Sequence, residues 1–450
     1  MFDDLDVPEL FTAMADARHA ERTAVARRVL AIGELCQRRM AGMATDQRAN
    51  WCIDNWAATA AEVGAQLGRS REWASAQMNY GLELVDRLPR LAARFAAGEV
   101  DWPVVAAAVF RTELIRDRQI MARIDEVLAR RVLRFNTLSR PRLAAAIDAW
   151  VSQLDPAAVR VPTVAENRYI EFGEARSGLV AFWGSVRAAD AAVIEQRLDE
   201  LAAAAPEESG TLDERRADAL AALAAGGVPG TAENPVVITV VAESGTLAGT
   251  SERPGYLPGY GPVPPAMLRQ LAQHARLRPL TPGPLLCAEP RYRPSAALAA
   301  FVRCRDLHCR FPGCDKPAEV CDLDHTVAYD DGGPTHPSNL ALLCRAHHLI
   351  KTFYGGENGW RERQFADGTI EWTAPSGQTH LTRPTGALIF PHLGEPTGEI
   401  TVETRRRRSA AGRTLMMPTR RRTRAAERAA RIAWERGLNE RRWAADPPPF

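Results

Sequence analysis

The sequence predicts an α+β protein in three parts: a mostly helical domain over residues 1–300 with a small sheet near 168–241, a compact β-β-α module over 301–390, and a basic tail over 391–450. Three observations predict it. Apolar residues recur at helical spacing through the first 150 positions, as in Leu10, Met14, Ala17, Val25, Val29 and Leu30. Five of the eight cysteines and five of the nine histidines fall between Cys304 and His348. The segment 401–450 holds fourteen arginines against five acids, a surplus of nine positive charges in a chain whose total is +2, which leaves −7 on residues 1–400.

Taken in order, the first region reads as successive helices punctuated by Pro89, Gly98, Pro103 and Pro141. Within it, Ala61 to Trp73 has helix-turn-helix character, with Gly68 at the turn and Ser70 placed to cap the second helix. A tight hairpin in a helical bundle accounts for the same pattern and is the plainer reading. Near Asn167 the texture changes: Arg168–Phe172 and Gly178–Trp183 read as a β-hairpin, with Gly173 and Ser177-Gly178 as turn material. Helices are expected at 188–204 and 212–225, a strand at Pro235–Val241, and Gly/Pro-rich loops around a helix at 265–275. The tail reads as disordered or partly helical. Arms of this charge neutralise phosphates, so DNA is the expected partner. Only two of the 57 basic residues are lysines, Lys316 and Lys351, so the abundance of arginine alone is a compositional habit. No apolar run approaches the roughly 20 residues of a membrane span, and Met1-Phe2-Asp3-Asp4 lacks the basic start of an export signal. A cytoplasmic protein is expected.

Cysteines clustered in such a chain point to metal rather than disulfides. Val320–Asp324 and Leu340–Leu343 read as two short strands joined across Gly332-Gly333, and Ala346–Thr352 as the start of a helix. A unit of this size holds together with a staple such as a metal. Cys309 and Cys314 flank a Pro-Gly turn, and Cys344 and His347 form a C-x2-H pair at the helix start, a set suited to tetrahedral structural zinc. Cys304, His308 and Cys321 lie near enough in sequence to replace one of the four. His347 and His348 are adjacent, so on a helix they point about 100° apart and are expected to serve different sites. His348 is left for a second site with Asp324, suited to Mg²⁺ or Mn²⁺. His325 falls on the opposite face of the strand, where a neutral imidazole can deprotonate water.

Asp324-His325, Asn339 and His348 resemble the spaced His-Asn-His signature of HNH endonucleases, the ββα-metal nucleases. Cys-Arg-Phe-Pro-Gly-Cys, Asp-Leu-Asp-His-Thr, Gly-Gly-Pro-Thr-His-Pro-Ser-Asn-Leu and Leu-Cys-Arg-Ala-His-His are similar to the actinobacterial 13E12 repeat proteins, in which a long N-terminal domain of unknown function precedes the HNH module. The resemblance implies a metal-dependent DNA endonuclease, with His325 as general base and Asp324 and His348 holding the catalytic ion. It implies that Asn339 ties the connecting loop and orients His325, and that Cys309, Cys314, Cys344 and His347 hold zinc. The first zinc pair is C-x4-C where C-x2-C is commoner, and the last ligand is His where Cys is commoner. Arg310, Arg345 and Lys351 are the expected phosphate contacts. The alternative is a catalytically silent, zinc-stapled DNA-binding protein with a regulatory or mobile-element role; a third reading is a protein-interaction scaffold.

Overall fold

The computed structural model describes residues 2–41, 47–160, 168–176, 179–225, 239–258, 260–273, 275–280, 287–400, 402 and 417–445. The chain is α+β with small antiparallel sheets. It divides into two compact units: residues 1–161 with 280–450, and residues 162–279. This differs from the boundaries read from sequence, because both the β-β-α module and the described part of the tail belong to the same unit as the N-terminal helices.

Seven helices open the first unit: α1 (Val7–Met40), α2 (Asn55–Leu67), α3 (Arg71–Asp86), α4 (Pro89–Ala96), α5 (Trp102–Thr112), α6 (Arg118–Phe135) and α7 (Arg140–Leu154). Their starts follow local chemistry. Asp6 and Glu9 form a reciprocal capping box on α1, and Asp54 and Ser70 accept from Ala57 N and Trp73 N at the starts of α2 and α3. Val29, Leu84, Leu91, Phe95, Val105, Ile124, Val132 and Ile147 share one core. α1 and α3 meet backbone to backbone: a Cβ on Gly33 would lie 2.4 Å from the Gly81 carbonyl oxygen. The α2–α3 pair is therefore a hairpin built into the bundle, with Gly68 at φ +60° closing α2.

The second unit carries β1 (Tyr169–Arg176) and β2 (Leu179–Ser185) as an antiparallel hairpin, α8 (Ala188–Ala204), α9 (Leu212–Ala225), α10 (Ser244–Leu247), the short pair β3 (Gly255–Leu257) and β4 (Gly261–Val263), and α11 (Pro265–Ala272). The Ser177-Gly178 turn and most of the Pro235–Val241 strand lie outside the described residues; Val241 pairs with Tyr256.

The first unit then resumes with α12 (Ala296–Asp306), β5 (Cys321–His325), β6 (Leu340–Cys344) and α13 (Arg345–Phe353), followed by the sheet β7 (Arg361–Gln364), β8 (Ile370–Thr373), β9 (Thr379–Thr382) and α14 (Thr385–Ile389). β5 and β6 are antiparallel, with Cys321 opposite Cys344 and His325 opposite Leu340. Trp360 packs edge to face against both Phe311 and Trp372.

The described part of the tail ends in α15 (Arg424–Ala445). Five of the tail's fourteen arginines pair with acids of the body. Arg420 and Arg424 pair with Asp54, Arg428 with Glu83 and Glu113, Arg431 with Glu113, and Arg436 with Asp155. Asn439 donates to the Ala157 and Val159 carbonyls. The acids of the body and the arginines of the tail, separated in sequence, thus neutralise one another at these positions. The helix is the partly helical tail expected from the sequence, and these pairings take up part of its charge. Arg405–Arg408 and Arg413 lie outside the described residues.

Candidate metal centre and its surroundings

The turn after α12 presents Cys309 and Cys314. Cys314 N donates to Phe311 O at 3.1 Å, and Gly313 holds φ +74°. A side chain at Gly313 would meet the Arg69 carbonyl oxygen at 2.4 Å, because this knuckle packs against the α2–α3 turn. Cys344 ends β6 and precedes α13, and His347 follows one helical turn on. The ligand atoms of Cys309, Cys314, Cys344 and His347 all lie within 4.8 Å of one another. His347 Nδ1 is 3.2 Å from Cys344 Sγ and 3.5 Å from Cys309 Sγ. Tetrahedral zinc at ordinary bond lengths separates its ligands by about 3.5–4 Å. The far face of His347 stacks on Phe311, centroids 4.0 Å apart and nearly parallel, which fixes the ring.

Hydrogen bonding from Cys309 and Cys314 pulls Cys344 far below the ordinary thiol range, while burial pushes Cys309 up and its hydrogen bond with Cys309 pushes Cys314 up. A divalent ion held by these atoms would favour the ionised form of each thiol. Cys321 is not part of the set: its thiol donates to the Pro317 carbonyl at 3.2 Å. The described residues thus form a cluster that can hold a metal such as zinc.

A second group of polar residues lies along β5 and α13. Asp322 and Asp324, two apart on the strand, share a face. His348 stands over them, with Nδ1 2.9 Å from Asp322 Oδ2 and Nε2 3.5 Å from Asp324 Oδ1. His325 turns to the other side, where it is buried, with its ring stacked on Tyr292 at 5.3 Å and edge-on to Tyr329 at 5.7 Å. His325 Nε2 is 2.8 Å from Thr335 Oγ1, and that hydroxyl donates to the Arg291 carbonyl at 2.6 Å. With its one proton so placed, Thr335 accepts from His325 Nε2–H, which assigns the lone pair to Nδ1. Burial holds the His325 imidazolium below its ordinary range, the nearby Lys351 adds to this, and Asp324 opposes it.

Asn339, buried after the loop, accepts from Val327 N at 2.8 Å and donates to the Val327 and Pro334 carbonyls. It closes the loop that joins β5 to β6. Gly333 fits only because it lacks a side chain: a Cβ there would sit 1.9 Å from Val327 O.

The three expected phosphate contacts fare differently. Arg310 is 3% exposed and binds Asp306, the Gly368 carbonyl and the Thr382 carbonyl. It braces the module and is out of reach of a nucleic acid. Lys351 is likewise committed, to Asp324 at 2.7 Å, Glu362 at 2.9 Å and the His325 carbonyl at 2.5 Å. Burial disfavours its ammonium, but the two carboxylates outweigh this and hold it charged. Arg345 alone of the three presents an exposed head, 3.6 Å from Asp322 Oδ2. Sequence reasoning passed over Asp306, a fully buried acid that accepts from Arg305, Arg310 and the Leu342 amide, and Asp322. The i, i+2 spacing to Asp324 was the available signal for Asp322.

Among the described residues no helix is long and apolar enough to cross a membrane. Residues 16–306 match the model of a family described as a domain of unknown function, DUF222. The chain is similar to uncharacterized protein Rv3776 of Mycobacterium tuberculosis, 41% identical across 99% of this chain and 92% of the relative. It is also similar to uncharacterized protein Rv2100 of the same organism, 40% identical across 98% and 90%. No solved structure matches.

Proposed function

The chain belongs to the DUF222 family, and we propose that its module at 301–390 is a metal-dependent HNH endonuclease that hydrolyses DNA phosphodiester bonds. The observation that carries the reading is the convergence of Asp324 Oδ1 and His348 Nε2 at 3.5 Å on one side of β5, with the buried ring of His325 on the other. The donor set suits the ion: one carboxylate oxygen and one imidazole nitrogen, at a spacing near the roughly 3 Å between adjacent ligands of an octahedral Mg²⁺ or Mn²⁺. When bound, such an ion supplies Lewis-acid stabilisation of the phosphate and of the leaving oxygen.

The chain's own groups do the rest. His325, kept neutral by burial and held through Nε2–H by Thr335, offers Nδ1 to take a proton from the attacking water. Asn339 fixes the loop that carries Thr335 and so the angle of the ring. Lys351 engages Asp324 Oδ2 and leaves Oδ1 toward His348. Arg345 is the exposed cation beside this face and the remaining candidate for a phosphate contact. The cysteine–histidine cluster staples α13 to the knuckle and so sets where His348 stands.

The test is conversion of supercoiled plasmid to nicked circles by purified protein with Mg²⁺ or Mn²⁺. Metal-dependent nicking by the wild type that His325→Ala abolishes supports the reading; equal residual nicking by the two refutes it. One observation favours the silent DNA-binding alternative: the Lys351 ammonium already neutralises part of the negative charge of Asp324 and Glu362. That alternative expects zinc retention and salt-dependent DNA binding with no cleavage.

A further inference from the structure

Asp322 has no part in the HNH signature, yet it lies closer to the His348 ring than Asp324 does. Its Oδ2 lies 2.9 Å from His348 Nδ1. A carboxylate only accepts, so Nδ1 carries a proton toward Asp322, and Nε2 is the nitrogen whose lone pair a cation would take. Nε2 in turn lies 3.5 Å from Asp324 Oδ1. The two acids are held on one face of β5 by its pairing with β6, Asp322 opposite Leu343 and Asp324 opposite Ala341. The two ring nitrogens point apart, so the Asp322 oxygen bonded to Nδ1 stands behind the ring, on the side away from the Asp324 oxygen. Arg345 lies 3.6 Å from the same Oδ2, with a side chain 65% exposed. Lys351 holds the other oxygen of Asp324 at 2.7 Å, which leaves Oδ1 as the atom facing Nε2.

We propose that Asp322 is a positioning residue for divalent-metal binding: it fixes the tautomer and direction of His348 so that Nε2 and Asp324 Oδ1 face one ion, in a carboxylate–histidine–metal relay. The inference rests on the nuclease reading for the identity of the ion. It differs from that reading in assigning Asp322 a role through His348 and not as a ligand.

The test uses full-length, zinc-loaded protein. Mn²⁺ binding is titrated by the electron paramagnetic resonance signal of free Mn²⁺, and the His348 tautomer is read by long-range ¹H–¹⁵N NMR without Mn²⁺. The expected result is Mn²⁺ affinity weakened roughly 10–100-fold in Asp322→Ala, with His348 redistributed between tautomers. Asp322→Asn, whose amide oxygen still accepts from Nδ1–H, recovers most of the affinity and the Nδ1–H form. Zinc content and melting temperature report that both variants fold. Asp322→Ala binding within twofold of wild type with the tautomer unchanged overturns the proposal. So does Asp322→Asn binding as weakly as Asp322→Ala, the result expected of a direct charged ligand. Wild-type protein with no Mn²⁺ site that His348→Ala removes refutes the nuclease reading instead, and the NMR arm still decides whether Asp322 sets the His348 tautomer.

Discussion

Asp54 joins the two ends of the chain, and replacing it by asparagine isolates that role. The residue caps α2 by accepting from Ala57 N at 2.9 Å and also receives Arg420 and Arg424, with its side chain 6% exposed. Asparagine is an equally good N-cap, so Asp54→Asn preserves the helix start and removes only the charge. Charge-assisted hydrogen bonds exceed neutral ones by about 1 kcal/mol each. Arg424 is 43% exposed and its contribution is discounted for solvent screening, so the net loss is about 1–2 kcal/mol, or on the order of 3 °C in melting temperature. The sign with pH follows from the carboxylate. Burial raises its pKa, but the hydrogen bonds from Arg424 and Ala57 and the charges of Arg424 and Arg420 outweigh this and leave it lowered. A depressed folded value means that the stabilisation is fully present above the unfolded carboxylate range, near 4, and is lost as pH falls through the folded value. Thermal melts followed by circular dichroism should show the gap between wild type and Asp54→Asn at pH 7 and its closure as pH drops below about 4. Equal melting at pH 7, or a gap that widens on acidification, would refute the assignment of the tail arginines to the body.

Removing zinc with a strong chelator, or replacing Cys344 by serine, should unfold the 301–390 module while the N-terminal helices keep their circular dichroism; protease cleavage confined to that module is the readout. Asn339→Ala removes three hydrogen bonds and leaves the Val327 amide without its acceptor. It should cost about 2–3 kcal/mol and lower nicking while zinc content measured by mass spectrometry stays unchanged. Gly333→Ala forces a Cβ to within 1.9 Å of Val327 O. The loop must shift, and a loss of about 1–3 kcal/mol is expected in chemical denaturation.

Much of the candidate centre was legible in the chain because its signals are local. Cys344 and His347 lie one helical turn apart, Cys309 and Cys314 flank one tight turn, and the two short strands are joined by a single loop, so spacing singled out the four residues that the fold brings within 4.8 Å, while Cys304, His308 and Cys321 stayed open as replacements. The alternation of β5 likewise placed Asp324 and His325 on opposite faces. What spacing could not supply is where a long side chain spends its donors. Arg310 and Lys351 look like free cations in sequence, yet Asp306 lies beneath the first, and Glu362, from a strand eleven residues beyond Lys351, reaches the second. The tail is the largest instance. Its surplus of positive charge is visible in composition, but the acids that absorb part of it, Asp54, Glu83, Glu113 and Asp155, stand hundreds of residues away. Charge is a property of composition, whereas its availability to a partner depends on burial and pairing, and those exist only once distant segments have packed together.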